Sequence, residues 1–337
     1  MARVTISDVS RAAGVSIKTV SRVLNGERYV GADTRARVEA TVAALRFRPS
    51  AAARALAGGR SHQIGLVCDN PSPFYVHQMQ LGVRDRCVEA GMRLIAQPYD
   101  RHSPSILDDI EELIETTHVD GLVLTPPVSD HEGVLDHLLE RGMPFVRVAP
   151  GIRLDCAPSV RIDNSAAAAE VTRHLLELGH RRIGFVAGDP DFAASAQRRA
   201  GFLTALDEAG IATSPKLMRD GDYTFESGET AGEALLALPE PPTAIVASND
   251  EGAAGVLAAA HRRGVAVPAR LSVAGFGDDA VAGVVWPSLT TVRQPTRDMG
   301  FHAADLLLGT EGDRHRELAW TLVVRGSTAP VPPEKMA

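Results

Sequence analysis

Five side chains near the N-terminus have the types and spacing of a base-reading surface. If residues 16–25 are helical, Val20, Val23 and Leu24 form one apolar stripe, and Ile17, Lys18, Ser21, Arg22 and Asn25 fall off it toward solvent. Arginine donates two hydrogen bonds to a guanine edge, serine and asparagine hold phosphates, and isoleucine packs on a thymine methyl. Thr5, Ser16, Thr19, Tyr29 and Thr34 lie close by in the sequence and are grouped with them as DNA-contacting residues. Polar residues cover the outside of any small amphipathic helix pair, so the reading depends on what positions the helix.

The flanking residues supply that positioning. Thr5-Ile6-Ser7-Asp8 has the pattern of a capping box, with Ile6, Val9 and Ala13 following at helical spacing. Gly14 can take the left-handed backbone that ends a helix, and Ser16 is a fresh N-cap for the next one. Two short helices around Gly14-Val15-Ser16 make a helix-turn-helix. A third amphipathic segment, from Asp33 to Leu45, closes the unit through Val38, Val42 and Leu45. Charge agrees with this reading: residues 1–62 hold eleven Lys/Arg against four Asp/Glu, in a chain whose net charge is −7. A basic block on an acidic body is the footprint of a polyanion-binding module.

From Gln63 onward short apolar runs alternate with amphipathic helices. Strands are expected at Ile64–Val67, Arg93–Ala96, Gly121–Leu124, Phe145–Val148, Ile183–Ala187, Ala244–Ala247 and Ser272–Ala274. Helices such as Val76–Ala90, Ala166–Leu178 and Glu251–Arg263 lie between them, which predicts parallel sheets covered on both faces. Some 275 residues exceed one core, so two such sheets are expected. Ligands of open α/β sheets sit at the carboxyl ends of strands, and those ends are polar here. They carry Asp69-Asn70-Pro71-Ser72-Pro73-Phe74-Tyr75, Asp100-Arg101, Thr125, Asp163-Asn164, Arg198, Asn249-Asp250 and Gln294. Helix capping is the alternative role for each.

Other chemistries lack their motifs. No Gly-x-Gly-x-x-Gly follows the first strand and no phosphate-binding P-loop appears, so a nucleotide-dependent enzyme is not expected. His180 lies in a helix-to-strand turn, where a capping role outweighs a catalytic one. Cys68, Cys87 and Cys156 are too few and too widely spaced for a disulfide framework or a zinc site; they are read as small buried residues. No run of eighteen apolar residues exists and the N-terminus has no signal-peptide stretch, so a cytoplasmic protein without a membrane span is expected, with no cofactor and no metal.

The strings VTISDVSRAAGVSIKTVSRVLNGERYV and TRARVEATVAALRFRPSAAARALAGGRS resemble the headpiece and hinge of the LacI/GalR family of bacterial regulators, and the similarity continues more loosely along the chain. The resemblance implies a headpiece at 1–49, a hinge helix at 50–60 and an effector-binding and dimerisation domain at 61–337. Its N-lobe would span about 61–161 and 292–320, and its C-lobe about 162–291 and 321–330, with crossings near Arg161, Thr291 and Thr321. In the family two hinge helices pair on the operator and a leucine wedges into the minor groove; Leu56 takes that place, beside Ala53 and Arg54.

Arg198 matches an arginine that binds effector polar groups bidentately, Arg101, Asn249 and Gln294 match effector-contact positions, and Tyr223 matches a stacking aromatic. Pro73, Phe74, Tyr75, Thr125, Arg147, Asp163 and Asp250 complete the expected effector site. One departure stands out. The family's Gly-Phe-Asp-Asp reads Gly275-Phe276-Gly277-Asp278-Asp279 here, so either Asp278 substitutes for the missing aspartate or the ligand lacks a hydroxyl pair. With Arg101, Arg147 and Arg198 near the cleft, a sugar acid becomes a candidate effector beside neutral sugars. The expected protein is a homodimeric repressor of carbohydrate-utilisation genes on a near-palindromic operator, switched by this effector. A short Pro-rich tail with no leucine heptads argues against a tetramerising coiled coil. The alternatives are a periplasmic-type solute receptor, or an activator or corepressor-dependent regulator sensing a non-sugar ligand.

Overall fold

The computed structural model describes residues 4–24, 27, 29–47, 61–100, 103–309 and 313–331. The hinge positions Ala53, Arg54 and Leu56, together with Asn25 and Arg101, lie outside the described residues.

Three helices build the headpiece: α1 (Ile6–Ala13), α2 (Ile17–Leu24) and α3 (Ala32–Ala44). The Thr5 hydroxyl accepts from the Asp8 amide, and the Asp8 carboxylate accepts from the Thr5 amide at 2.9 Å, a reciprocal cap. Gly14 takes φ 64° and stops α1, which turns the chain into the Ser16 cap of α2. Val9, Ala13, Val20, Val23, Val38 and Phe47 close a small separate core.

The rest of the chain forms two lobes, each on a six-stranded sheet. In the first lobe β1 (Gln63–Cys68), α4 (Pro73–Glu89), β2 (Arg93–Pro98), α5 (Ile106–Thr117), β3 (Gly121–Leu124), α6 (Glu132–Arg141), β4 (Phe145–Val148) and β5 (Ser159–Arg161) alternate. The second lobe continues with α7 (Asn164–Glu177), β6 (Ile183–Val186), α8 (Ala193–Glu208), β7 (Met218–Arg219), α9 (Phe225–Leu236), β8 (Ala244–Ala247), α10 (Asp250–Arg262), β9 (Ser272–Gly277), α11 (Ala280–Val284) and β10 (Thr290–Arg293). The chain then returns to the first lobe for α12 (Thr296–Leu308) and β11 (His315–Glu317), and ends its strands with β12 (Thr321–Val323) in the second. The sheet orders are β11-β5-β4-β3-β1-β2 and β12-β10-β9-β8-β6-β7. All pairings are parallel except β10 with β12.

The seven expected strands and the helices between them are present, because continuous apolar runs suit strands buried on both faces. One boundary moves. Val292 and Arg293, expected in the first lobe, stay in the second-lobe sheet in register with Phe276 and Gly277, so the chain passes between lobes at 294–295.

An apolar cluster joins the lobes, from Leu66, Met79, Val146 and Met299 to Leu175, Phe185 and Phe202. Helices α4 and α12 approach so closely that a Cβ on Gly82 would lie 1.8 Å from the Arg297 carbonyl oxygen. His180 is not a cap: its ring is buried and bridges the Thr243 hydroxyl, the Ser272 hydroxyl and the Ala329 carbonyl, and burial lowers its pKa. The three cysteines are free thiols, and burial raises Cys68 and Cys87 to about 11.

Candidate DNA-reading face and effector cleft

On α2 the buried Val20 and Val23 turn Ile17, Lys18 and Arg22 outward, with Ile17 49% exposed. Ser21 is half-buried on the same helix. Arg22 Nε rests 3.4 Å from a Glu27 carboxylate oxygen, both side chains being 44% exposed. Such a pair is worth at most about 1 kcal/mol, so the guanidinium is available to a guanine. Thr5, Ser16 and Thr19 are engaged in capping: the Ser16 and Thr19 hydroxyls lie 2.9 Å apart, and the Thr19 amide donates to Ser16. Tyr29 stands 94% exposed, and Thr34 is half-buried on the first turn of α3.

Between the lobes, at the carboxyl ends of the strands, lies a narrow cleft that opens to solvent, with a cavity volume of about 60 Å³. Asn70, Ser72, Tyr75, Pro126, Ala149 and Thr296 line it from the first lobe; Asn164, Phe192, Ala194, Arg198, Tyr223, Asn249, Phe276, Gly277 and Asp279 line it from the second, and Gln294 from the crossing. Arg198 dominates it. Its guanidinium lies 3.6 Å over the Phe276 ring, and it donates to Asn164 Oδ1 (3.0 Å), the Ser248 carbonyl (2.6 Å) and Gln294 Oε1 (3.2 Å). Burial pushes its pKa down, while Tyr223, Tyr75, Asp250 and Asp279 oppose that shift. Three of the five guanidinium N–H groups are thus used, which leaves two for a ligand.

The Tyr223 ring meets Phe192 edge-on at 5.4 Å, and its hydroxyl is buried. Burial raises the hydroxyl pKa of both Tyr75 and Tyr223. Asn249 lines the cleft with its amide already committed, donating to the Tyr223 carbonyl and to Glu251 and accepting from the Gly252 amide as the cap of α10. Its contribution is to shape the wall.

The structure therefore brings together Tyr75, Arg198, Tyr223, Asn249 and Gln294. It moves the other expected residues elsewhere. Arg147 is fully buried, donating to the carbonyls of Ser129, Ile152 and Arg153 and pairing with Asp130 at 2.7 Å, so it braces a loop and has no part in the cleft. Asp163 caps α7 through the Ala166 amide. Thr125 is buried, its hydroxyl donating to the Val67 carbonyl. Pro73 is the exposed first residue of α4, and Phe74 faces a separate depression beside Gln78 and Arg293. Asp250 lies beneath the floor, fully buried, accepting from the Thr291 hydroxyl at 2.6 Å and the Asp279 amide at 2.8 Å.

The Gly277 departure has a local explanation. Gly277 takes φ 135° and Asp278 φ 57°, and this turn aims Asp278 at Arg293 (2.6 Å) and Arg325 (2.5 Å) instead of the ligand. Asp278 therefore does not substitute. Asp279 lines the cleft, accepting from the Ser72 hydroxyl of the opposite lobe at 3.0 Å, while Glu251 lies 2.5 Å from the same hydroxyl. Burial, then the charges of Glu251 and Asp250, raise Asp279 to about 7; burial likewise raises Asp250 to about 7. A Cβ on Gly277 would sit 3.3 Å from an Asp250 oxygen and 3.4 Å from the Asp279 carboxyl carbon, so another carboxylate there would crowd two existing ones.

Sequence reasoning missed Asp279, Phe276 and Phe192 as cleft residues; their only signal was position at or just beyond strand ends. Among the described residues no cluster of His, Cys, Asp and Glu could hold a metal ion, and no helix is long and apolar enough to cross a membrane.

Comparison with known proteins agrees with this architecture. Residues 5–50 match the bacterial regulatory proteins of the lacI family, and residues 172–328 match a periplasmic binding protein-like domain. Catabolite control protein A of Priestia megaterium is 34% identical over 305 residues, 90% of this chain and 91% of that protein. The chain belongs to the LacI family. Its fold follows that of a lac repressor dimer solved on its operator with the anti-inducer ONPF (28% identity, TM-score 0.85, 97% of this chain and all of that one). It is also similar to the regulator CelR solved with cellobiose (29% identity, TM-score 0.73, 96% of this chain and all of that one). As a LacI-family member it is a DNA-binding transcriptional regulator, with the DNA-binding headpiece at its N-terminus and an effector-binding two-lobed domain behind it.

Proposed function

We propose that the protein is a homodimeric repressor of carbohydrate-utilisation genes, and that a neutral, hydroxyl-rich sugar in the cleft switches its affinity for a near-palindromic operator. The observation that carries this reading is the composition of the cleft. One guanidinium with two open N–H groups faces one carboxyl, Asp279, across a floor of Phe276 and a wall of Tyr223. Paired donors and an acceptor suit vicinal hydroxyls, and aromatic surface suits the C–H face of a pyranose. A sugar acid loses support because Arg147 is spent on its loop and Asp279 would repel a ligand carboxylate. The cellobiose bound by the related CelR points the same way.

Thermal-shift screening of the purified chain against neutral mono- and disaccharides and against sugar acids tests it. A cleft ligand at a hundred times its Kd stabilises by about 2.7 kcal/mol. The Arg198→Ala variant should lose that shift. Stabilisation by sugar acids alone would overturn the neutral-sugar reading.

A further inference from the structure

Where the chain enters the first lobe, three residues are gripped from all sides. The Asp120 carboxylate accepts from the Ser61 amide at 2.8 Å and the Ser61 hydroxyl at 3.2 Å through one oxygen, and from the His62 amide at 2.9 Å through the other. The Asp120 amide donates to the Gln63 carbonyl at 2.7 Å, and the Gln63 side chain donates to the Thr117 carbonyl at 2.8 Å. The Arg93 amide donates to the His62 carbonyl at 2.9 Å. Between these ties His62 holds φ 56°, a left-handed backbone that is uncommon for residues other than glycine and that histidine tolerates better than most. Nothing in β1 itself requires this. The strand would start equally well from a relaxed, extended entry, and Asp120 belongs to the loop before β3 rather than to the incoming segment.

We infer that Asp120 is a positioning residue for operator binding: it fixes the point and direction at which the headpiece connection leaves the first lobe, so that the two headpieces of a dimer meet two half-sites together. The inference rests on the operator reading proposed above. When one headpiece is bound, the second binds at an effective concentration set by its tether. Thirteen residues, 48–60, separate the headpiece from the clasp, and losing the clasp would add 61 and 62 to the tether and at most also Gln63, the first residue of β1. For a free coil, effective concentration falls as the −3/2 power of length, so this lengthening alone costs only about 1.4-fold. A larger loss reports the lost direction.

The test uses the full chain and its Asp120→Asn and Asp120→Ala variants. Wild-type protein selects its duplex from a random pool, and a second duplex has one half-site scrambled. Affinities for both are measured by fluorescence anisotropy at one salt concentration, with thermal unfolding and amide exchange at residues 61 and 62 alongside. Asparagine keeps one acceptor but turns its amide hydrogens toward a donor, so it loosens the clasp with little change of shape. The expected result is faster exchange at both amides, half-site affinity within about twofold of wild type, and full-site affinity lower by about fivefold or more, the range of allosteric couplings. A full-to-half-site ratio within about 1.4-fold of wild type despite faster exchange, or unchanged exchange in both variants, would overturn the inference. If the wild type selects no palindrome, the operator reading itself fails, which is a different result from a wild type that selects one and a variant that binds it equally well.

Discussion

Asp279 carries a prediction with a definite pH signature. Its carboxyl is 9% exposed, and it titrates at about 7 instead of 3.8, first because burial removes water and second because Glu251 and Asp250 are close. A folded-state pKa above the unfolded value means that the folded protein holds the proton more tightly. The stability linked to that proton is complete below about pH 4 and is lost as pH rises through about 7. Three units correspond to about 4 kcal/mol between the two limits. Asparagine at 279 would still accept from Ser72 but would carry no charge to desolvate, and its amide hydrogens would need a partner, which returns part of the gain. The Asp279→Asn variant should therefore match wild type near pH 5 and exceed it by about 1–3 kcal/mol at pH 8. For a chain of this size that is a rise of roughly 1–4 °C in Tm. Calorimetry at pH 5, 6, 7 and 8 and constant ionic strength reads it directly. A variant that is less stable than wild type by the same margin at every pH would refute the reasoning, because it would mean that Asp279 is ionised and well partnered throughout. The same variant should show a smaller sugar-induced stabilisation that does not change with pH, since its amide oxygen accepts ligand hydroxyls less strongly than the carboxyl proposed to do so.

Two further substitutions probe other parts of the molecule. Arg22→Ala should cost about 1–3 kcal/mol of discrimination at one base position, measured by competition with single-base operator variants, and unchanged base preference would mean that α2 does not read DNA as placed. Arg147→Met should destabilise the protein by about 3–5 kcal/mol, because it removes the charge partner of Asp130, which keeps only the Gly151 and Ile152 amides, and the donor to the buried carbonyls of Ser129 and Ile152; a thermal melt within about 1 kcal/mol of wild type would contradict its bracing role.

The fold was legible in the sequence because its signals are local. Ile6, Val9 and Ala13 and then Val20, Val23 and Leu24 repeat at helical spacing, Gly14 and Ser16 stop one helix and start the next, and runs such as Leu122-Val123-Leu124 mark strands buried on both faces. The cleft was legible only in part. Arg198 and Gln294 stood among the polar groups near strand ends and crossings but gained a ligand role only through the family resemblance, and Tyr223 was found through the resemblance alone. Arg147 looked like a ligand because a strand-end arginine does; the carbonyl cage that occupies it comes from residues 129 and 152–153, which no local pattern links to it. Asp279 was missed for a conformational reason. Consecutive positive φ values at Gly277 and Asp278 rotate the double aspartate by one residue, and a run of letters does not record that turn.

The contacts across the cleft indicate how such a sensor is kept switchable. Ser72 is the hinge-side element: its hydroxyl accepts from the Tyr75 amide to cap α4, and it meets Glu251 and Asp279 of the opposite lobe. Closing the lobes therefore packs the Ser72 hydroxyl against two carboxyl groups that share the second lobe and shields them from water, which costs free energy that the hydrogen bonds only partly return. Opening them returns both groups to solvent. Burial raises the pKa of Asp279, Glu251 and Asp250 add to the rise, and the Ser72 hydrogen bond from the opposite lobe lowers it. A closed form that is opposed in this way lies close in free energy to an open one, and a ligand moves such a balance only by binding one form more tightly than the other. Hydroxyl groups arriving between Arg198 and Asp279 would supply that difference, because they solvate the carboxyl and use the two open guanidinium N–H groups in the closed form alone. Raising the pH should act in the opposite sense, so the affinity of a neutral sugar should fall above pH 7 in wild type and stay level in Asp279→Asn, a contrast that titration calorimetry at pH 6 and 8 measures.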